Sequence, residues 1–362
     1  MATEFTPSAS DLRFAPPGFT THTCTTPTGT KLSFRLWAAS PPPASPAPFI
    51  TYTHGGRCEA GNHFAPLPWL FPGFQARGYH LISHNYRLGP QASIDAQLAD
   101  CIAAVEWCRA ELPRILGADK VDVDRYIIAG ESAGGTLVAL MAHHLVPSPR
   151  AVINAYGPVD LAALMPFSGP VPTSPPEAPW TGEFSEQELL AYLSDRTPEN
   201  VLMDALWWDE DILFPAKLLS ERWAADIEYS PRIKLQAEFH RWASTIGAGP
   251  ALRVSMLHDE RFKDEEALKQ FMASMAPLPM LLEMEGRKYP PMAFLHGTAD
   301  ELVGVEQSKC MAERLRGLGV SVLESYEEGE GHVFDMKYTG PDVEGWDKYI
   351  RPILEFCDEL VA

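Results

Sequence analysis

Hydrophobic positions recur along the chain with two different periods, and the period switches from one segment to the next. Alternating apolar and polar residues predict strands over Gly18–Cys24 and Lys31–Ala38, where Leu32, Phe34 and Leu36 share a face. Short apolar runs predict buried strands at Phe49–Thr53, Tyr79–Ser83, Tyr126–Ala129 and Ala151–Ala155. Between them, Gln91–Leu116 carries Ile94, Leu98, Ile102, Val105, Cys108 and Leu112 at helical spacing, and Gly134–Leu145 reads as a second helix. Strands separated by helices need crossover connections, so the pattern predicts an α/β fold with a doubly wound, mostly parallel sheet. The rhythm stops after Tyr156. From Pro158 to Arg287 the pattern is helical with long loops, with helices predicted at Ser185–Leu193, Pro198–Trp207, Pro215–Trp223 and Glu265–Met275. It resumes with strand Pro291–His296, helix Val305–Leu318, strand Val320–Tyr326 and helix Val343–Leu360. The expected organisation is therefore a core of residues 1–157 and 288–362 with a helical cap, residues 158–287, inserted between two strands. An insertion at the C-terminal edge of a parallel sheet sits where ligands bind.

Composition narrows the functions open to such a fold. Hydrophobic residues make up 46% and charged residues 21% of the 362 positions, which suits a globular chain with a large core. Lys and Arg number 29 against 48 Asp and Glu, for a net charge of −19, so neither nucleic acid nor an anionic lipid surface is an expected partner. No apolar run is long enough to span a bilayer, and Met1–Pro7 lacks the basic and apolar regions of a secretory signal. The cysteines (Cys24, Cys58, Cys101, Cys108, Cys310 and Cys357) show no metal-binding spacing and are expected as reduced thiols in a cytoplasmic protein. Ser40–Pro48 is a proline-rich surface connector.

The strongest chemical signal is Gly130-Glu131-Ser132-Ala133-Gly134-Gly135, which follows a predicted strand and opens a predicted helix. A nucleophile on a sharp turn needs small neighbours, and Gly130 and Gly134 supply them. A serine hydroxyl also needs a base oriented by an acid. Asp300 lies on the loop after Pro291–His296, and His332 on the glycine-flanked loop after Val320–Tyr326. The order Ser132, Asp300, His332 is the one this sheet order requires. Glu301 is the obvious substitute acid. His54-Gly55-Gly56 follows another strand, and the Gly55 and Gly56 amides with that of Ala133 are candidate donors to a developing oxyanion. His54 is expected to support this loop and not to act as a base.

With these motifs in place the chain resembles an α/β-hydrolase of the hormone-sensitive-lipase-like carboxylesterase group, over roughly Phe49–Tyr156 and Pro291–Phe334. The motifs fall in family order: His54-Gly55-Gly56, Asn85-Tyr86-Arg87-Leu88-Gly89-Pro90, Gly130–Gly135, then Asp300 and His332. Two departures stand out. The oxyanion loop of the family often has a third glycine where this chain has Arg57, and its Asp-Tyr-Arg-Leu-Ala-Pro run appears with Asn85 and Gly89. The phrase His296–Asp300 also resembles dienelactone-hydrolase-like relatives.

The resemblance implies a serine carboxylesterase acting through an acyl-enzyme on a small ester, lactone or thioester, with no metal or organic cofactor. Five of nine tryptophans (Trp180, Trp207, Trp208, Trp223, Trp242) and many methionines lie in the insertion, which suits an apolar or aromatic substrate. Most of these side chains are expected simply to pack the cap. Similar hydrolases encoded in biosynthetic pathways point to specialised metabolism. An acyl transferase or cyclase, by lactonisation, Dieckmann-type closure or transesterification, would use the same triad. A non-catalytic small-molecule receptor on the scaffold is the reading from another class, and retention of all three triad residue types argues against it. A homodimer stays open.

Overall fold

The computed structural model describes residues 14–164, 180–195, 197–205, 216–225, 231–245, 261–262, 265–282 and 289–362. Eight strands form one sheet: β1 (Thr20–Thr25), β2 (Lys31–Trp37), β3 (Ala47–Thr53), β4 (His80–His84), β5 (Val121–Glu131), β6 (Ala151–Ala155), β7 (Met292–Gly297) and β8 (Val322–Glu327). Their order across the sheet is β1-β2-β4-β3-β5-β6-β7-β8. The β1–β2 and β2–β4 pairs are antiparallel and every later pair is parallel. The described helices are α1 (Leu70–Gln75), α2 (Ile94–Leu116), α3 (Ala133–His144), α4 (Leu161–Leu164), α5 (Glu186–Ser194), α6 (Ala216–Trp223), α7 (Pro231–Thr245), α8 (Glu265–Ser274), α9 (Pro277–Leu282), α10 (Glu306–Gly317) and α11 (Arg351–Val361).

Both faces of the central strands are covered, which is why they read as unbroken apolar runs. On β5, Tyr126 and Ile128 join the cluster under α2 and α3, whereas Ile127 and Ala129 join the opposite cluster with Leu70, Phe74, Ile353 and Leu354 of α1 and α11. The chain leaves β3 for β4 on one side and returns through α2 to β5 on the other. Thr53 of β3 therefore sits opposite Gly130 of β5, and the loops that follow the two strands emerge side by side. This reversal of strand order opens a crevice at the C-terminal edge of the sheet.

The predicted helix Pro198–Trp207 is replaced by one turn of 3₁₀ helix at Pro198–Asn200 and an irregular strip to Ala205. Its backbone is captured by the body: the Leu88 N–H donates to Leu202 O, and Gly61 and Ala205 exchange both their hydrogen bonds. Tertiary partners outweigh local helix preference there. Helix α7 is not among the predicted elements, although Leu235, Phe239 and Trp242 recur at spacings of four and three behind Pro231. The short α1, with Pro72 in its first turn, is likewise unpredicted. Trp207 and Trp208, and Met165, Met256 and Met284 among the methionines of the insertion, lie outside the described residues. All six cysteines are free thiols. No helix among the described residues is long and apolar enough to cross a membrane.

The Asn85 departure has a structural cause. Its carbonyl oxygen accepts from the Ser33 N–H at 2.8 Å, and its amide donates to Asp204 Oδ2 at 2.7 Å. The other Asp204 oxygen accepts from His63 Nδ1 at 2.7 Å. An aspartate at position 85 would set two carboxylates against each other. Asn85→Asp should therefore destabilise the protein by about 3 kcal/mol, the cost of an uncompensated buried charge. Urea unfolding at neutral pH measures this, and an unchanged midpoint would contradict it.

Candidate active site

The turn after β5 is shaped by missing side chains. A Cβ on Gly130 would lie 2.3 Å from Gly134 O, and one on Gly134 would lie 2.1 Å from Thr53 O. Only glycine lets the strand end, the helix start and the neighbouring β3 approach this closely. Ser132 sits on that turn at φ 47°, ψ −122°, a sparsely populated conformation that costs about 1–3 kcal/mol and persists only where its surroundings over-determine it. Here they do: the Ser132 N–H donates to Ala155 O at 2.8 Å, which continues the β5–β6 ladder.

The structure brings Ser132, His332 and Asp300 into one hydrogen-bonded row. Ser132 Oγ lies 3.1 Å from His332 Nε2, and His332 Nδ1 lies 2.7 Å from Asp300 Oδ2. The carboxylate fixes the tautomer, because a proton on Nδ1 leaves the Nε2 lone pair facing the serine hydroxyl. Asp300 is itself braced. Its Oδ1 accepts from the Leu302 and Val303 amides, each at 2.9 Å, and its Oδ2 lies 3.2 Å from His296 Nε2. Burial alone would raise the Asp300 carboxyl. Hydrogen bonds from His296 and His332 outweigh it and hold the group well below the usual carboxylate range. Glu301, the neighbouring acid, is exposed.

The loop after β3 packs directly on the serine. A Cβ on Gly55 would lie 3.0 Å from Ser132 Cβ. The Gly55 N–H, assigned from sequence to an incoming oxyanion, is instead taken by Glu131 Oε1 at 3.3 Å, so Gly55 anchors the loop. Ala133 opens α3, where its N–H has no intrahelical acceptor. Gly56 turns the chain at φ +113°, and Arg57 and Cys58 follow at φ 54° and 67°. Arg57 thus adopts the left-handed backbone that a third glycine would take without strain. His54 Nδ1 donates to Gly55 O at 2.7 Å while its ring stacks on Tyr86. Burial pushes the His54 imidazole down to about 4, which keeps it neutral and makes it a loop support.

Helix α7 reaches the same loop. Gln236 Nε2 donates to the carbonyls of Gly89 and Glu59. His240 Nδ1 lies 3.5 Å from Glu59 Oε2, but burial pushes the Glu59 carboxyl up to about 8 and the His240 imidazole down to about 4. The contact therefore joins two neutral groups at neutral pH and is not an ion pair. Sequence reading missed this neighbourhood, and it missed the shell of Tyr52, Trp69, Tyr156, His296 and Asp335 behind the row. These side chains come from distant parts of the chain and carry no local motif. Among the described residues, no group of three or more His, Cys, Asp or Glu side chains is placed to hold a metal ion.

Comparison with known proteins agrees with the fold. The model of the alpha/beta hydrolase fold family matches residues 50–214. The chain is 27% identical over 322 residues to the non-reducing polyketide synthase Preu6 of Preussia isomera, covering 86% of this chain and 13% of that protein. It is 24% identical over 335 residues to the esterase LipC of Mycobacterium tuberculosis, covering 90% of this chain and 64% of that one. The chain thus spans a small fraction of the polyketide synthases it matches. Among solved structures, a protein of unknown function from Staphylococcus aureus subsp. aureus Mu50 superposes with a TM-score of 0.57 at 17% identity, covering 95% of this chain and 100% of that one. A thermophilic esterase from Thermogutta terrifontis gives 0.53 at 17% identity, covering 95% and 93%.

The depressed Asp300 carboxyl sets a sign for acid stability. Its contribution is complete above about pH 5 and is lost as pH falls toward the folded value. The stability advantage of the wild type over Asp300→Asn should shrink steadily from about pH 5 to about pH 2, as read by urea titration at each pH. A constant difference would contradict the assignment.

Proposed function

We propose that this chain is a member of the α/β-hydrolase superfamily, in its hormone-sensitive-lipase-like group, and that it is a serine hydrolase of carboxylic esters or thioesters. The observation that carries the proposal is the row Ser132 Oγ, His332 Nε2 and Nδ1, Asp300 Oδ2, held at 3.1 and 2.7 Å. Ser132 Oγ attacks the acyl carbonyl as His332 Nε2 takes its proton. Asp300 stays ionised and stabilises the imidazolium that forms. The oxyanion is received by the Ala133 amide, at the positive end of α3, and by the Gly56 amide, with Gly55 and Glu131 fixing the loop that presents it. His332 then returns the proton to the departing alcohol or thiol, leaving an acyl-enzyme. Water, activated by the same histidine, releases the acid. Gly130, Gly134 and His54 act through shape, holding the turn and the loop.

The segment from 158 to 287 is proposed as a cap that shapes the acyl pocket. Leu189, Tyr192 and Leu193 of α5 close on Phe239, Trp242 and Ala243 of α7 in a small cluster separate from the two that flank the sheet, as a unit laid over the body would. Similarity along 86% of the chain to a segment of a polyketide synthase favours a polyketide-type acyl group. It also favours a second reading, in which the acyl group passes to a hydroxyl or carbon nucleophile held by the cap and not to water.

Ser132→Ala should lower turnover of a small aryl ester by at least about a thousandfold. His332→Ala should do nearly the same, and the double variant should be no worse, because the residues act as a unit. Retained turnover in Ser132→Ala would refute the reading. Product analysis with an aromatic acyl thioester separates free acid, the hydrolase outcome, from a cyclic or transferred product.

A further inference from the structure

Behind the serine, two buried carboxyl groups contact one phenol. Tyr156 Oη lies 3.0 Å from Glu131 Oε2 and 2.8 Å from Asp335 Oδ1. Glu131 is 3% exposed, and Asp335 and Tyr156 are fully buried. A phenol carries one proton, so it can donate to only one of these oxygens. If both carboxyls were ionised, a lone pair of Oη would face a carboxylate oxygen at hydrogen-bond distance in a low-dielectric site. If one carboxyl is protonated, it donates to Oη and Oη donates to the other, and every atom of the chain is satisfied.

The surroundings decide which carboxyl is the acid. Glu131 Oε1 also accepts from Tyr52 OH at 2.6 Å and the Gly55 N–H at 3.3 Å, and Glu131 borders the N-terminus of α3. Those donors and that dipole favour the anion. Asp335 has the single Trp69 indole N–H on Oδ2 at 2.7 Å, which a neutral carbonyl oxygen can also accept. Resting on the serine-hydrolase reading, we propose that Asp335–Tyr156–Glu131 is a proton-sharing relay that positions the catalytic site, with the shared proton on Asp335. The proton runs from Asp335 Oδ1 to Tyr156 Oη, whose own proton points to Glu131 Oε2.

The relay joins three loops that the chemistry needs in register. Asp335 lies three residues beyond His332, on the base loop. Glu131 adjoins Ser132. Through Gly55, Glu131 holds the oxyanion loop. The Tyr156 ring also packs edge-on against His332, with centroids 4.8 Å apart. Tyr156 itself is held at φ 43°, a strained value for a bulky residue, so packing and the two carboxyl contacts fix its place. Titratable groups facing the relay include Tyr52 from β3, His54 and Tyr86, which act on Glu131, His296 from β7, whose ring lies 6.4 Å from Tyr156, and His332. Lys337, in the same 3₁₀ turn as Asp335, is turned away to Glu327 and Glu330 at 2.8 Å.

Two readouts test the relay. The first needs no substrate. At neutral pH the infrared difference spectrum, wild type minus Asp335→Asn, should show a protonated carboxyl band, because the amide replaces the acid as donor to Oη. Glu59 is present in both proteins, so its contribution cancels. A band lost in Glu131→Gln and kept in Asp335→Asn would overturn the placement of the proton, and no band lost in either would overturn proton sharing. The second readout is the pH profile of kcat for an aryl ester. Wild type should lose activity on the alkaline side as the relay deprotonates, and Asp335→Asn should shift that limb upward or abolish it. An identical alkaline limb in both would overturn the functional link. Tyr156→Phe, which keeps the ring against His332, should lower kcat by about tenfold with KM little changed, and unchanged kcat would also count against the relay. If Ser132→Ala retained turnover, the hydrolase reading would fail while the infrared result stood on its own.

Discussion

Three backbones meet at the end of the sheet with no room for a side chain between them. Gly134 touches the Thr53 carbonyl, Gly130 touches the Gly134 carbonyl, and Gly55 touches Ser132. This close approach is the constraint from which the rest of the site follows. It depends on the parallel register that sets Thr53 beside Gly130, and hence on the reversal of strand order between β4-β3 and β5-β6. Burial of both sheet faces holds that register, and the strain at Ser132 is small beside it. A serine at the head of a helix, beside a loop of turned amides, is the geometric result.

Charge in the site is managed by neighbours more than by burial alone. Asp300 is 7% exposed yet stays well below the ordinary carboxylate range, because two histidines and two amides donate to it. Glu59, 1% exposed with Oε1 unpartnered, moves up to about 8. Two acids of similar burial therefore take opposite protonation states at neutral pH. Glu131 and Asp335 divide one proton through Tyr156 on the same logic. The acid that must orient a cation is surrounded by donors, and the Glu131–Asp335 pair is held to a single negative charge.

Much of the architecture was legible because it is local. Strand periods, the Gly130–Gly135 turn and the glycine-flanked His332 loop are written in contiguous residues, and sheet order supplied the rest of the Ser132, Asp300, His332 set. What was not legible is set by distant contacts. Residues 201–205 look helical but are drawn into the body by Gly61, His63, Asn85 and Leu88. Arg57 reads as a break in a glycine loop, yet its backbone simply takes the left-handed conformation. The Gly55 amide points to Glu131 because a side chain 76 positions away reaches it, and no motif records that. Asn85 reads as a drift from family pattern until Asp204 is seen beside it.

The central claim is that Ser132 is an activated nucleophile within this assembled row. The most direct measurement is intact mass after brief treatment with a small serine-reactive sulfonyl fluoride, followed by peptide mapping. The account predicts a single adduct, located on Ser132, that forms in the wild type and is absent from His332→Ala. No adduct, or one on a serine elsewhere in the chain, would contradict it.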